Sequence, residues 1–125
     1  MTTLTDNHHE VQAWLSTIQE VQHIENTVLA CQIEFEDAER LYEQYEIAVL
    51  LPELLKGKDG QINGSNEAIR KLQTQEFLDA QPGYYDARIA VDMARRHLRK
   101  AQMELDHSKL LERFYRVQSG WKAQQ

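Results

Sequence analysis

The chain is short of nearly everything that staples, punctuates or anchors a fold. It has one cysteine, Cys31, in 125 residues, so no disulfide can form within it. Two prolines and five glycines are too few for a turn-rich β-sandwich or a Gly/Pro-rich disordered chain. The longest apolar run, Ile47 to Leu51, falls far short of the roughly 20 residues that cross a bilayer. The opening MTTLTDNHHEVQ has neither the basic start nor the apolar stretch of a secretory leader. A cytoplasmic protein with no membrane contact is expected. There is no Gly-rich phosphate loop, and no Ser or Cys stands in a nucleophile motif, so the expectation is a protein that is not an enzyme and needs no cofactor.

What is present is the material of long helices: 27% charged residues, frequent Gln, and apolar positions that return every three or four residues. Charge is divided along the chain. Residues 1–55 hold eleven acids against one base, Arg40, a net −10; the other 70 hold thirteen bases against nine acids, a net +4. The overall −6 disfavours general affinity for nucleic acid.

The pattern predicts a single helical domain over 1–125. A long helix spans about 7–51, a loop 52–64, a short helix 65–80 and a second long helix 84–119. Asn7 with Glu10 is expected to cap the first helix. Pro52 disfavours helical geometry at Leu51 and should end it. Ser65 or Asn66 is expected to cap the short helix, Pro82 to sit in the first turn of the last, and Gly120 before Trp121 to stop it.

Each long helix carries a heptad seam. In the first, Val28, Cys31, Phe35, Ala38, Tyr42, Tyr45 and Val49 alternate steps of 3 and 4, while Trp14, Ile18, Val21 and Ile24 contain two successive threes, a stammer. In the last, Ala87, Val91, Ala94, Leu98, Ala101, Leu105 and Ser108 alternate, then Leu111 and Phe114 slip in the same way. The fold class is therefore all-α, a coiled-coil-like antiparallel hairpin with a short third helix in its connection. Pairing residues whose numbers sum to about 135 places Leu51 by Tyr84, Trp14 by Trp121, and the acids Glu34, Glu36, Asp37 and Glu39 beside Arg95, Arg96, Arg99 and Lys100. Small seam residues bury modest area, which makes a homodimer an equal expectation to a monomer.

Four groups invite a chemical reading. The loop from Asp59, DGQINGSNEAIR, resembles an EF-hand, but Gln61 and Arg70 replace oxygen ligands, so Asn63-Gly64 reads as a turn. Glu-x-x-His occurs twice, as Glu20 with His23 and Glu104 with His107; this is the di-iron bundle spacing, although helical position puts both pairs on solvated faces. His8 and His9 fall in the expected first turn and read as a helix end. Arg95, Arg96, Arg99 and Lys100, continued by Lys109, Arg113, Arg116 and Lys122, form a basic face that phosphates or an acidic partner would fit. The competing reading is neutralisation by the acidic first helix. Tyr84, Tyr85, Phe114 and Tyr115 suit base stacking, with two of the four needed in the core.

The run Asp59–Arg116, with DGQINGSNEAIRKLQ followed by an Ala/Arg/Leu-rich helix, resembles small helical proteins encoded in phage and prophage genomes. The resemblance implies a bacterial or viral accessory protein assisting DNA replication, recombination or host takeover. The residues themselves point first to a non-enzymatic helical interaction or adaptor protein that oligomerises or docks on a protein partner. A single-stranded nucleic-acid accessory protein using the basic face, and a dimeric di-iron bundle protein, are the alternatives.

Overall fold

In a computed structural model the chain is all-α, and the structure describes residues 3–123, with side chains described over 8–120. Helix α1 spans Thr3–Leu55, α2 Glu67–Asp79 and α3 Tyr84–Ala123, with a 3₁₀ turn at Gly57–Asp59 between α1 and α2. The two long helices pack against one another as a hairpin with the short helix in the connection. No described helix is long and apolar enough to cross a membrane. Contacts divide the chain into two compact units, one of residues 1–33 with 96–125 and one of residues 34–95.

Both seams run without interruption. On α3, Ala87, Val91, Ala94, Leu98, Ala101, Leu105 and Ser108 are all buried or half-buried, as the spacing predicts. The expected slip to Leu111 and Phe114 does not occur: both are exposed, and Glu112, Tyr115 and Ser119 continue the 4, 3, 4 alternation inward. The stammer on α1 disappears in the same way. Thr17 is buried between Trp14 and Val21, so the steps read 3, 4, 3, 4 from Trp14 to Val28. A buried hydroxyl needs a partner, and Thr17 donates to the carbonyl of Ala13 at 2.7 Å. Polar seam residues had disguised a regular heptad as an irregular one.

Several expected boundaries move. α1 begins at Thr3, so Asn7 lies inside it and is not its cap, and His8 and His9 are exposed within the helix instead of in its first turn. Pro52 also lies inside α1, one turn before its end; near a C-terminus little helix remains for the missing N–H to disrupt. Gly120 does not stop α3, which continues to Ala123 without a left-handed glycine there. The side chain of Trp121 lies outside the described residues. Pro82 precedes α3, and Gly83, at φ +86°, makes the turn and offers its carbonyl to Ala87 N. Asn66 caps α2 as expected, its side chain accepting from Ile69 N at 2.9 Å.

The unit of residues 34–95 is closed by an aromatic cluster. Tyr84, buried at the start of α3, shares a 2.8 Å hydroxyl hydrogen bond with Tyr42 and packs against both Tyr42 and Tyr45. Tyr45 donates to the carbonyl of Pro82. Burial, the bond to Tyr84 and the nearby Glu46 push the Tyr42 phenol well above its ordinary range. The stretch of α1 beyond this cluster is met by the connection, where Ile62, Phe77 and Leu78 are buried. The Asn63-Gly64 loop is held by Gln73, whose carbonyl oxygen accepts from both backbone N–H groups at 3.0 and 2.7 Å and whose amide donates to Asn63. Gly64 is needed there for space: a Cβ would lie 2.9 Å from that of Ile69.

Glu53, in the last turn of α1, is buried where the connection folds back on it. It accepts from Gln61 N at 2.6 Å and pairs with Lys56 at 2.9 Å. The backbone hydrogen bond, then the lysine, hold its carboxyl below the usual range. A depressed folded-state pKa adds stability above the unfolded value of about 4.3, and that stability is lost as pH falls through the folded value. In thermal unfolding followed by circular dichroism, Glu53→Gln is expected to lower the midpoint at neutral pH, with the gap from the parent closing as the pH is lowered below the carboxylate range. A gap independent of pH would show that the carboxylate charge contributes nothing.

Candidate interaction cleft

The register decides what faces the basic cluster. Contacts in the unit of residues 1–33 and 96–125 are fixed at one end by Trp14, whose indole N–H donates to Glu112 Oε1 at 3.0 Å. In the other unit, Tyr42 meets Tyr84, Tyr45 meets Pro82, and the Arg95 guanidinium lies over the Phe35 ring at 5.6 Å. The residue numbers of these pairs add to 126, 126, 127 and 130, not 135. Relative to the proposed alignment, α3 is displaced along α1 by five to nine residues, roughly 8–14 Å at 1.5 Å per residue.

That displacement undoes the expected neutralisation. The proposed alignment set Arg96, Arg99 and Lys100 beside Glu34–Glu39; instead they line a cleft of about 530 Å³ with Glu20 and Ile24 of α1. Met103, Glu104, His107 and Ser108 complete the wall on α3. The spacing explains the grouping, because residues at steps of three and four on a helix share a face. Arg96, Arg99 and Lys100 form no ion pair among the described residues. The ion pairs measured elsewhere are local ones within helices: Arg40 with Asp37, Lys56 with Glu53, Arg95 with Asp92, and Arg116 with Glu112. Arg95, grouped with the other three in the sequence, is engaged by Asp92 and Phe35 and stands apart from the cleft.

Ile24 is buried, and Met103 lines the cleft with its side chain exposed. Three unpaired cations thus stand beside buried Ile24, with Glu20 on α1 and Glu104 on α3 supplying negative charge. This arrangement suits a ligand with a few discrete anionic groups and some apolar surface. It suits a continuous polyanion poorly.

The two Glu-x-x-His motifs are partly assembled. Glu20, Glu104 and His107 all line the cleft, whereas His23 does not. Among the described residues no three His, Cys, Asp or Glu side chains stand close enough to hold a metal ion, so one copy of the chain does not assemble the di-iron ligand set. Of the four aromatics considered for stacking, Tyr84 is buried and Tyr115 half-buried, while Tyr85 and Phe114 are exposed. Cys31 is half-buried in the seam. Glu112, which ties Trp14 and also meets Arg116 at 3.9 Å, escaped notice in the sequence because a carboxylate at a seam position does not look like a packing residue.

Since Arg96, Arg99 and Lys100 are exposed and unpaired, replacing all three by Ala is expected to leave the fold intact, with each change worth within about 0.5 kcal/mol. Chemical denaturation of the triple variant measures this; a loss of several kcal/mol would mean that the cations hold α1 and α3 together. No family model matches the chain and neither does any curated protein or solved structure, so the reading of this cleft rests on its own geometry.

Proposed function

We propose that the chain is a non-enzymatic helical interaction protein that docks a carboxylate-bearing segment of a protein partner in the cleft of residues 20–24 and 96–108. The observation that carries this reading is the set of three cations, Arg96, Arg99 and Lys100, left without acidic partners beside Ile24 and Met103. Arg guanidinium groups are weakly hydrated and form two parallel hydrogen bonds to a carboxylate. An amphipathic helix carrying Glu or Asp at one edge of an apolar stripe would satisfy both the cations and the apolar Ile24 and Met103.

A polypeptide fits better than a nucleic acid for electrostatic reasons. Polyphosphate binding gains from each added cation, yet Glu20 and Glu104 line the same cleft and the chain carries −6 overall. Discrete carboxylates can meet the cations while avoiding both acids. The phage-like resemblance is compatible with an accessory factor of this kind.

The test is fluorescence anisotropy with a labelled synthetic amphipathic helix bearing Glu at i, i+4 beside a leucine stripe, titrated with the full chain. Three partly exposed charge pairs at about 0.2–1 kcal/mol each amount to roughly a tenfold change in affinity. The peptide is expected to bind, to weaken about tenfold with the Arg96/Arg99/Lys100→Ala variant, and to resist competition by oligo-dT. Equal binding to parent and variant would overturn the reading. Stronger binding of oligo-dT than of the peptide, falling steeply with salt, would replace it with the single-stranded nucleic-acid one.

A further inference from the structure

The inward seam of α3 is not its only heptad. Met103, Leu110, Phe114 and Val117 are all more than half exposed, and with His107 they step 4, 3, 4, 3 along the helix. This second row lies opposite the residues that pack on α1, namely Leu105, Ser108, Glu112 and Tyr115. A row of large apolar side chains at coiled-coil spacing is a helix-packing surface, and no described part of the chain covers it.

We propose that this row binds a second copy of the chain, antiparallel, about a two-fold axis near Leu110. The row is self-complementary. With Leu110 facing its own counterpart, Met103 of one copy meets Val117 of the other, and His107 meets Phe114, so an isologous contact closes without steps in register. Charge selects the same arrangement. Asp106 and Arg113 flank the row on one side, four residues before and three after Leu110, and neither has an ion pair among the described residues. Antiparallel pairing sets Asp106 of each copy beside Arg113 of the other, twice; in a parallel pair each flank faces the opposite flank of its counterpart, and neither contact forms.

The thinness of the chain's own core points the same way. Among the described residues no large side chain is fully buried, and the inward seam of α3 is built on Ala94, Ala101 and Ser108. The row shares Met103 and His107 with the cleft, but its centre and far end, Leu110, Phe114 and Val117, lie outside the cleft lining, and the self-association is tested at Leu110.

Sedimentation velocity of the full chain over about 5 to 500 μM covers the range expected of a small interface. A reversible monomer–dimer equilibrium is expected, weakened at least tenfold by Leu110→Glu. Arg113→Asp and Asp106→Arg should each weaken self-association about tenfold. An equimolar mixture of the two should recover dimers, because both cross pairs become attractive again, a rescue that a merely structural role for either residue would not produce. Circular dichroism of each variant confirms that the helices are retained. A strict monomer throughout overturns the proposal, as does a dimer indifferent to Leu110→Glu. A dimer broken by Leu110→Glu but not rescued by the mixture overturns the antiparallel pairing. Peptide binding at the cleft by Leu110→Glu reports on the cleft alone and separates failure of one reading from failure of the other.

Discussion

In each compact unit one contact between an aromatic residue and a polar group decides which part of α3 lies against which part of α1. Tyr84 is seated between Tyr42 and Tyr45 in one, and Trp14 is tied to Glu112 in the other. Seams made of Ala, Ser, Thr and Val slide over one another with little change in buried area, so large side chains with a directional bond must set the register. The position of every other facing pair follows, including what lies opposite the basic cluster.

Much of this was legible in the sequence. The heptad from Ala87 to Ser108 and that from Val28 to Val49 are carried by residue size and spacing alone, and they specify two facing helices before any coordinates are known. The Asn66 cap, expected at Ser65 or Asn66, was an equally local signal. What was not legible came from polar residues in apolar positions. Thr17 and Glu112 are seam residues whose hydrogen bonds are satisfied by Ala13 and Trp14, and reading them as surface residues created two stammers that do not exist. Pro52 and Gly120 misled in the opposite direction. Each is a helix breaker in general, yet one lies in the last turn of α1 and the other near the end of α3, where the cost of tolerating them is small.

The register could not be derived because charge is a poor guide to it. Matching the acids of residues 34–39 with the bases of residues 95–100 aligned long-range sums that exposed pairs scarcely reward. The structure forgoes that match in favour of aromatic packing, and Arg96, Arg99 and Lys100 are left facing Glu20 and Ile24. A cluster that would have been neutralised in the matched alignment is left without ion-pair partners among the described residues. Arg96, Arg99, Lys100, Glu20, Glu104 and His107 were named from the sequence but Met103 was not, and the cations' lack of partners could not be read because it depends on a shift of one to two and a half helical turns.

The account rests on this register, and a distance measurement tests it most directly. With Cys31 replaced by Ser, cysteines are introduced in pairs, Glu20→Cys with Glu104→Cys and Glu20→Cys with Arg113→Cys, and spin-label separations are measured. Facing across one cleft, the first pair should be closer than the second by about 4 Å, from axial offsets of about two and seven residues at 1.5 Å each and helix axes about 10 Å apart. A shorter distance for the second pair would restore the charge-matched alignment and return the basic cluster to the acids of α1.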